Sequence, residues 1–257
     1  MFLNKVFTQT SLSKELTAAK NEGAYPIALT GLNPTLKGLI IASEDNKATL
    51  VTADAAESNM LYNELIALGK KAVILEARDF NLRSNAVYSK EYEHKRINTL
   101  SKVIDGDFDI LVLDTECLTQ RCISKEELSQ NKIYLKKDNE YSLTLLQEQL
   151  VAMGYTRSSQ IEGAGQFSNR GDILDVFSPN ADSPVRIDFF GDTVERISTF
   201  EIENQRRLEE YECLTLLPAT ENQRVNVDEL NKYLKSIKNK NQKLYDIIEG
   251  DIYKNDL

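Results

Sequence analysis

Eight residues that begin at Gly31, with the sequence Gly-Leu-Asn-Pro-Thr-Leu-Lys-Gly, have the spacing of a phosphate-binding loop. The chemistry of such a loop needs the pattern G-x-x-x-x-G-K-[ST], whose backbone N–H groups hold phosphate and whose hydroxyl binds magnesium. Gly31 and Lys37 fit this pattern, but Leu36 replaces the second glycine and Gly38 replaces the hydroxyl residue. Pro34 removes one further N–H group from the loop. Taken alone, the stretch is therefore better interpreted as chance spacing in a turn between a strand and a helix.

The strand predicted at residues 109–113 is followed by Asp114, an arrangement that imitates the magnesium-binding acid of an ATPase. An acid after a strand is common in α/β sheets, and no competent phosphate loop accompanies this one, so we predict no catalytic residue. We also expect no metal site, because the cysteines have no C-x-x-C spacing and His94 is the single histidine. His94 lies beside charged residues in a predicted helix, so we interpret it as solvated and assign it no role.

A second candidate site lies in the strand predicted at residues 185–190, Val-Arg-Ile-Asp-Phe-Phe. Side chains alternate between the two faces of a strand, so Val185, Ile187 and Phe189 are predicted to face the core. Arg186 and Phe190 then share the face that meets solvent. An exposed phenylalanine beside an arginine is typical of the residues that anchor a protein interface.

The cations around this strand support an interface. Residues 138–231 contain no lysine and carry only arginine, which forms planar, bidentate pairs with carboxylates. Some of these arginines are instead expected to pair within the chain, with Asp172, Asp175, Asp188 or Glu195. Asp188 and Glu195 are predicted to face each other across the hairpin, a repulsion that a nearby arginine would relieve.

Composition sets limits on the class of protein. The chain has 257 residues, of which 41% are hydrophobic, enough for about two folded domains with real cores. Its net charge of −9 disfavours stand-alone nucleic-acid binding, which depends on clustered cations. The odd number of cysteines indicates a reduced, cytoplasmic chain, and no stretch predicts a signal peptide or a membrane span.

The elements that must position these residues alternate in type through the first part of the chain. We predict helices at residues 11–21, 36–44, 54–68 and 89–104, and strands at residues 25–30, 48–52, 71–76 and 109–113. Such alternation is typical of a parallel sheet covered by helices. Further on, a helix at residues 142–153 precedes strands at 173–177, 185–190 and 193–199, which predicts an α+β unit with a twisted antiparallel sheet.

Two stretches in this second part carry a family resemblance. Residues 165–177 read Gly-Gln-Phe-Ser-Asn-Arg-Gly-Asp-Ile-Leu-Asp-Val-Phe, and residues 184–195 read Pro-Val-Arg-Ile-Asp-Phe-Phe-Gly-Asp-Thr-Val-Glu. Together they closely resemble the UvrB-homology region of bacterial transcription-repair coupling factors, the Mfd family. The similarity continues through Thr199-Phe200 and Gln205-Arg206 to Leu-Pro-Ala at residues 217–219.

The resemblance implies a domain organisation. Residues 1–131 would form the first part of an α/β domain like that of UvrB, with a degenerate phosphate loop. Residues 132–217 would be an inserted, smaller α+β domain that binds UvrA, and residues 218–257 a return segment of the first domain that is cut short. Because UvrB has a true phosphate loop at this place, the resemblance also implies that Gly31, Leu36, Lys37 and Gly38 are the relic of a nucleotide site.

The resemblance further implies a non-catalytic adaptor that recruits UvrA, and thus nucleotide excision repair, to stalled transcription. By position, the residues that contact UvrA would be Arg170, Arg186 and Phe190. RNA polymerase and DNA would be bound by parts of the parent protein outside this chain, and ATP and magnesium by its motor domains. We expect no cofactor in this chain itself, and the UvrA-binding face is open to masking by another domain of the whole protein.

UvrB carries a stretch related to this one, so an active UvrB-like ATPase that binds damaged DNA is the alternative function. The departures at Leu36 and Gly38 disfavour it. UvrB also has an aromatic-rich hairpin that grips DNA, whereas residues 81–89 of this chain are polar and contain one ring, that of Tyr88. Stacking on bases needs exposed rings, so the sequence favours the adaptor.

Overall fold

In the computed structural model, residues 6–78, 90–221 and 227–246 are described. The chain divides into two compact units, Met1–Glu221 and Asn222–Leu257. The polar segment at residues 81–89, including Tyr88, lies outside the described residues. None of the helices in the described ranges is long and apolar enough to span a lipid bilayer.

A three-stranded parallel sheet organises the first part of the larger unit. Its strands are β1 (Ala48–Thr52), β2 (Ala72–Leu75) and β3 (Ile110–Asp114), in the order β1-β3-β2. The helices are α1 (Ser11–Asn21), α2 (Pro34–Ala42), α3 (Ala55–Ala67), α4 (Lys90–Asp105), α5 (Thr115–Thr119) and α6 (Lys125–Gln130). The sheet is buried because α3 and α4 pack on it, with Leu65, Ile97 and Val112 wholly inaccessible to solvent. The predicted parallel sheet with covering helices is confirmed.

The strand predicted at residues 25–30 is not present. This segment has no regular structure, its Tyr25–Pro26 peptide is cis, and the Tyr25 side chain is 69% exposed. Proline has no backbone N–H to donate to a neighbouring strand. A run of apolar residues also forms a strand only where another strand is available to pair with it. The stretch from Gly31 therefore does not follow a strand, as a phosphate loop requires.

The second part of the larger unit is built on antiparallel strands. Two sheets contain β4 (Ile133–Lys136), β5 (Thr156–Arg157), β6 (Gln166–Arg170), β7 (Ile173–Phe177), β8 (Val185–Phe190), β9 (Thr193–Phe200), β10 (Arg207–Tyr211) and β11 (Cys213–Leu216). Strands β10-β9-β8-β7-β6-β5 form one sheet in that order, and β11 pairs with β4 in the other. All of these pairs are antiparallel except β5–β6, which is parallel. The mixed α/β class is confirmed, whereas the domain boundaries at 131/132 and 217/218 stay a prediction.

One face of the six-stranded sheet packs on helix α7 (Leu143–Ala152). Leu146 and Leu150 of α7 meet Ile187 and other side chains of the central strands in the largest core cluster. The alternation predicted for β8 is confirmed, because Val185, Ile187 and Phe189 are all buried. The opposite face of this sheet therefore carries the candidate site.

The end of the larger unit is fastened to α4 by a buried charge cluster. Arg96, 2% exposed, donates from Nε to Glu221 Oε1 at 2.6 Å and from Nη1 to the Glu76 carbonyl. Arg78 also pairs with Glu221, whose backbone N–H donates to Glu93 Oε1 at 2.7 Å. Removing one member of such a cluster leaves an uncompensated buried charge. These bonds hold the segment after β11 against the parallel-sheet region.

His94, on the same helix, is not solvated as predicted. It is 6% exposed, and its ring packs against Gly165, where an added Cβ would lie 2.7 Å from Nε2. The ring donates to the Ala219 carbonyl, while Nε2 has no hydrogen-bond partner in the described part of the chain. The prediction that His94 is solvated was wrong because it rested on the charged residues beside it in the sequence. Packing against a distant loop decides which face of the helix His94 occupies.

Burial lowers the pKa of His94, an effect that Lys90 adds to and Glu93 opposes. Below about pH 6.5 the unfolded chain binds a proton at this histidine that the folded chain does not, so stability decreases as the pH is lowered through this range. We expect the free energy of unfolding to decrease as the pH is lowered from about 7.5 to below about 6.5, the pKa of an unfolded histidine, and His94→Gln to flatten that decrease. Denaturant unfolding of both proteins across this range measures it. A stability difference between them that does not change with pH would contradict this.

The smaller unit contains helix α8 (Val227–Lys240), whose last turn carries Lys238 and Lys240. Residues 242–246 form a further helical turn.

Candidate partner-binding face

Arg186 lies in the middle of the sheet face that is turned away from α7, and it is held from three sides. Its Nε and Nη2 donate to Asp175 Oδ1 and Oδ2 at 2.7 and 2.9 Å, and Nη2 also donates to Gln205 Oε1 at 2.7 Å. The guanidinium carbon lies 4.4 Å from the centre of the buried Phe200 ring. The hydrogen bond to Asp175 raises the pKa of Arg186. Arg186 is therefore half-buried and paired within the chain, not exposed as predicted.

Neighbouring arginines on this face are also paired internally. Arg207 donates to Asp188 Oδ1 at 2.8 Å and to Ser198 Oγ at 2.8 Å, and Arg196 lies 3.5 Å from Glu210 Oε1. The expectation that some arginines serve the fold is confirmed for these residues.

The repulsion predicted between Asp188 and Glu195 does not occur. Arg196 stands opposite Asp188, because the register of β8 and β9 shifts between Asp188 and Phe189. This irregularity leaves Glu195 without a partner residue across the strands, and its side chain is exposed. A bulge of one residue changes every cross-strand neighbour beyond it, which alternation within a single strand does not reveal.

Phe190 is the most exposed of the large apolar residues in the described ranges, at 81%. It is the last residue of β8, directly before the Gly191-Asp192 turn, where Gly191 has φ +61°. That turn needs glycine because the left-handed region is costly for other residues. The hairpin therefore holds the ring of Phe190 at a sheet end where none of the described side chains covers it.

Arg170 lies at the same end of the sheet. It is the last residue of β6, opposite Ile173 of β7, which in turn is opposite Asp188 of β8. Residues directly opposite each other share a face, so Arg170 is on the face that carries Asp188 and, two positions on, Phe190. Arg170 is exposed, and no ion pair or hydrogen bond to its side chain is found among the described residues.

The structure thus brings two of the three predicted contact residues to one corner and places the third differently. Arg170 and Phe190 are exposed at the sheet end, whereas Arg186 is four residues back along β8 and fixed by its partners. Sequence reasoning named Asp175 among the possible partners of the arginines but missed Gln205. The family similarity included Gln205 but assigned it no role, because its contact with Arg186 depends on a turn in which Gln205 itself is left-handed, with φ +61°.

The four residues of the degenerate loop have structural roles. Leu36 donates its N–H to Asn33 Oδ1 at 2.8 Å, and its half-buried side chain packs against the cluster of Phe7, Leu16 and Ile40. Gly31 adopts φ +72° in the turn before α2.

Lys37 and Gly38 are both engaged with helix α3. Lys37 Nζ lies 2.7 Å from Glu57 Oε1, and this hydrogen bond lowers the pKa of Glu57. Gly38 lies against Glu64, whose Cδ would be 2.6 Å from an added Cβ. The lysine that a phosphate would need is therefore paired, and the glycine is explained by the close approach of two helices.

The carboxyl-terminal ends of the parallel strands are also occupied by the chain's own side chains. Ligands of open parallel sheets bind where the carboxyl ends of strands meet helix N-termini. Here Asp54 accepts from the Glu57 N–H at 2.9 Å to cap α3, and Asp114 accepts from the Cys117 N–H at 2.7 Å to cap α5. Asp114 is thus a helix cap. A phosphate at this edge would meet carboxylates in place of free N–H groups.

The chain was compared with known proteins. Residues 133–222 match the family described as the UvrB interaction domain. The chain is 32% identical to the transcription-repair-coupling factor of Escherichia coli (strain K12) over 189 residues, which are 73% of this chain and 16% of that protein. It is 24% identical to the factor of Bacillus subtilis (strain 168) over 214 residues, 81% of this chain and 18% of that protein. The factor of Myxococcus xanthus is 38% identical over 114 residues, 44% of this chain and 10% of that protein.

These similarities confirm the resemblance that the sequence carried. The chain is homologous to the N-terminal region of transcription-repair-coupling factors and contains a UvrB interaction domain. It spans less than a fifth of the length of these relatives.

We expect this chain to bind no nucleotide, because Lys37 is paired and the helix N-termini at the sheet edge carry carboxylates. Titration calorimetry with magnesium-ATP should show no saturable heat. The variant Glu57→Gln, which releases Lys37, should behave in the same way because Leu36 and Gly38 still lack the required groups. A micromolar dissociation constant for the unmodified chain would contradict this prediction.

Proposed function

We propose that this chain, homologous to transcription-repair-coupling factors through its UvrB interaction domain, is a non-catalytic adaptor that binds UvrA. In the whole protein it would bring nucleotide excision repair to stalled RNA polymerase. The observation that carries the proposal is the exposed corner of the six-stranded sheet. There Arg170, which pairs with none of the described side chains, lies on the same face as Phe190, which is 81% exposed.

The chemistry of this corner suits a protein partner. An aromatic ring that offers apolar area, beside a guanidinium that offers hydrogen bonds, is the combination found at the energetic centre of protein interfaces. At 81%, Phe190 is more exposed than any other large apolar side chain in the described ranges, so its apolar area is available to a partner. The hairpin around Gly191 places the backbone of Phe190 at the sheet end, where a partner can reach the ring.

The rest of the larger unit supports an adaptor because its own side chains fill the positions that a nucleotide would use. The capping carboxylates of Asp54 and Asp114 occupy the sheet edge where a nucleotide would bind, and Glu57 holds Lys37. The parallel-sheet region would then serve as a scaffold for the UvrA-binding face. RNA polymerase and DNA would be bound, and ATP used by a translocase motor, in parts of the whole protein beyond this chain.

The alternative function, an ATPase that binds damaged DNA as UvrB does, is less well supported. It would need a strand before the Gly31 stretch, a free Lys37 and a net charge that attracts DNA. The net charge is −9, and the structure gives neither of the other two. A further possibility within the adaptor function is that another domain of the whole protein masks the same face. Stronger UvrA binding by this chain than by the whole protein would support masking.

The test of the proposal is the variant Phe190→Ala. Truncating an interface anchor typically costs about 2 kcal/mol or more, so we expect affinity for UvrA to fall roughly thirtyfold, mainly through faster dissociation. Because the ring is exposed, the free energy of unfolding should stay within about 0.5 kcal/mol of that of the unmodified chain. Surface plasmon resonance with immobilised UvrA and thermal melts of the same proteins measure both quantities.

A matched control is Leu145→Ala, which removes an apolar side chain that is 58% exposed on α7, on the other side of the sheet. It should leave both UvrA binding and melting unchanged. Normal binding by Phe190→Ala, or equal losses in the two variants, would remove this corner from the proposed site. Absence of any UvrA binding by the unmodified chain would overturn the function itself.

A further inference from the structure

The two arginines of the proposed UvrA-binding face, Arg170 and Arg186, differ in how much net charge they can offer to a partner. A guanidinium has five N–H donors. In Arg186, the Nε and Nη2 donors go to both oxygens of Asp175 and to Gln205, while Nη1 makes no hydrogen bond within the described residues. The side chain of Asp175 is 3% exposed and that of Arg186 is 13% exposed, so each charge is neutralised mainly by the other.

Nη1 of Arg186 still reaches solvent. Of the side-chain nitrogen and oxygen atoms in the described ranges, the one that is both fully buried and without a partner is His94 Nε2. The free Nη1 atom is therefore accessible at the surface of the sheet. Arg186 can donate a hydrogen bond outward while contributing little net charge, because Asp175 cancels its field beyond short distances.

Arg170 is in the opposite situation. Its guanidinium is exposed and no described side chain neutralises it, whereas Arg207 and Arg196 on the same face are paired with Asp188 and Glu210. Among the described side chains at the Phe190 corner, Arg170 thus carries the positive charge that no ion pair neutralises, while the adjacent turns carry the exposed carboxylates of Asp172 and Asp192.

Resting on the proposed function, we infer a division of roles within the UvrA-binding face. Arg170 pairs with a carboxylate of the partner, Phe190 enters an apolar pocket, and Arg186 donates from Nη1 to a neutral acceptor such as a backbone carbonyl oxygen. Asp175 and Gln205 are positioning residues that aim Nη1 outward. The ionic part of recognition, and with it the dependence of binding on salt, then belongs to Arg170.

Salt dependence separates these roles. Exposed charges are screened as the Debye length falls from about 10 Å at 0.1 M salt to about 3 Å at 1 M, whereas neutral hydrogen bonds are affected little. The dissociation constant for UvrA is measured from about 50 mM to about 500 mM salt for each protein, with thermal melts as a check on folding. The variants are Arg170→Gln, its charge-retaining control Arg170→Lys, and the double variant Asp175→Asn with Arg186→Gln, which replaces the ion pair by a neutral pair with a shorter side chain at position 186.

Arg170→Gln should bind about tenfold or more weakly at low salt and show a clearly flatter salt dependence. Arg170→Lys should keep the slope of the unmodified chain. The double variant should bind about three- to tenfold more weakly, through the lost Nη1 hydrogen bond, at an unchanged slope.

A slope in Arg170→Gln equal to that of the unmodified chain overturns the inference, whatever the double variant does. So does a double variant that melts normally and loses the slope. In both cases the unmodified chain still binds UvrA, and the proposed function stands. Absence of binding by the unmodified chain would instead overturn the function.

Discussion

The ion pair between Asp175 and Arg186 is the interaction on which the candidate face depends. It joins two adjacent central strands, β7 and β8, on the side of the sheet that is turned away from α7. Phe200 stacks beneath the guanidinium, and Gln205 closes over it from the turn before β10. Desolvation offsets much of the attraction between two such charges, so the pair contributes geometry more than net stability. It holds the Arg186 side chain against the face of the sheet, whereas Phe190 and Arg170 stay exposed at the end of the sheet.

Charge has a similar structural use in the parallel-sheet region. Carboxylates that could have surrounded a ligand instead bond to the chain itself: Asp54 and Asp114 cap helices, and Glu57 holds Lys37. Glu221 meets Arg96 in the interior. A sheet edge whose N–H groups are satisfied by the protein's own acids has little affinity left for phosphate. This part of the molecule is consistent with the proposed role of a scaffold.

The sequence predicted the features that depend on local pattern. Alternation placed Val185, Ile187 and Phe189 in the core, and it placed Phe190 outside, because strand side chains alternate whatever lies across from them. The types of most helices and strands in the larger unit were also predicted, because apolar periodicity and capping residues are local features of the sequence. The family resemblance then supplied Arg170, Arg186 and Phe190 as a set, which pattern alone would not have done for Arg170.

The features that the sequence did not predict depend on contacts between distant residues. The exposure of Arg186 was wrong because its partners Asp175 and Gln205 come from another strand and a turn. The burial of His94 depends on Gly165, 71 positions away in the numbering. The strand at residues 25–30 was wrong because an apolar run needs a neighbouring strand, and the sheet order leaves none beside it. The register shift after Asp188 likewise belongs to a pair of strands.

Hydrogen–deuterium exchange of this chain with and without UvrA tests the central claim most directly. Backbone amides in the two turns at the exposed corner, at Gly171-Asp172 and Gly191-Asp192, should exchange more slowly when UvrA is bound. Amides of the loops around Gly31 and Asp54 should be unaffected, because the parallel-sheet region is proposed to be only a scaffold. Protection confined to those loops, with no change at either turn, would contradict the account.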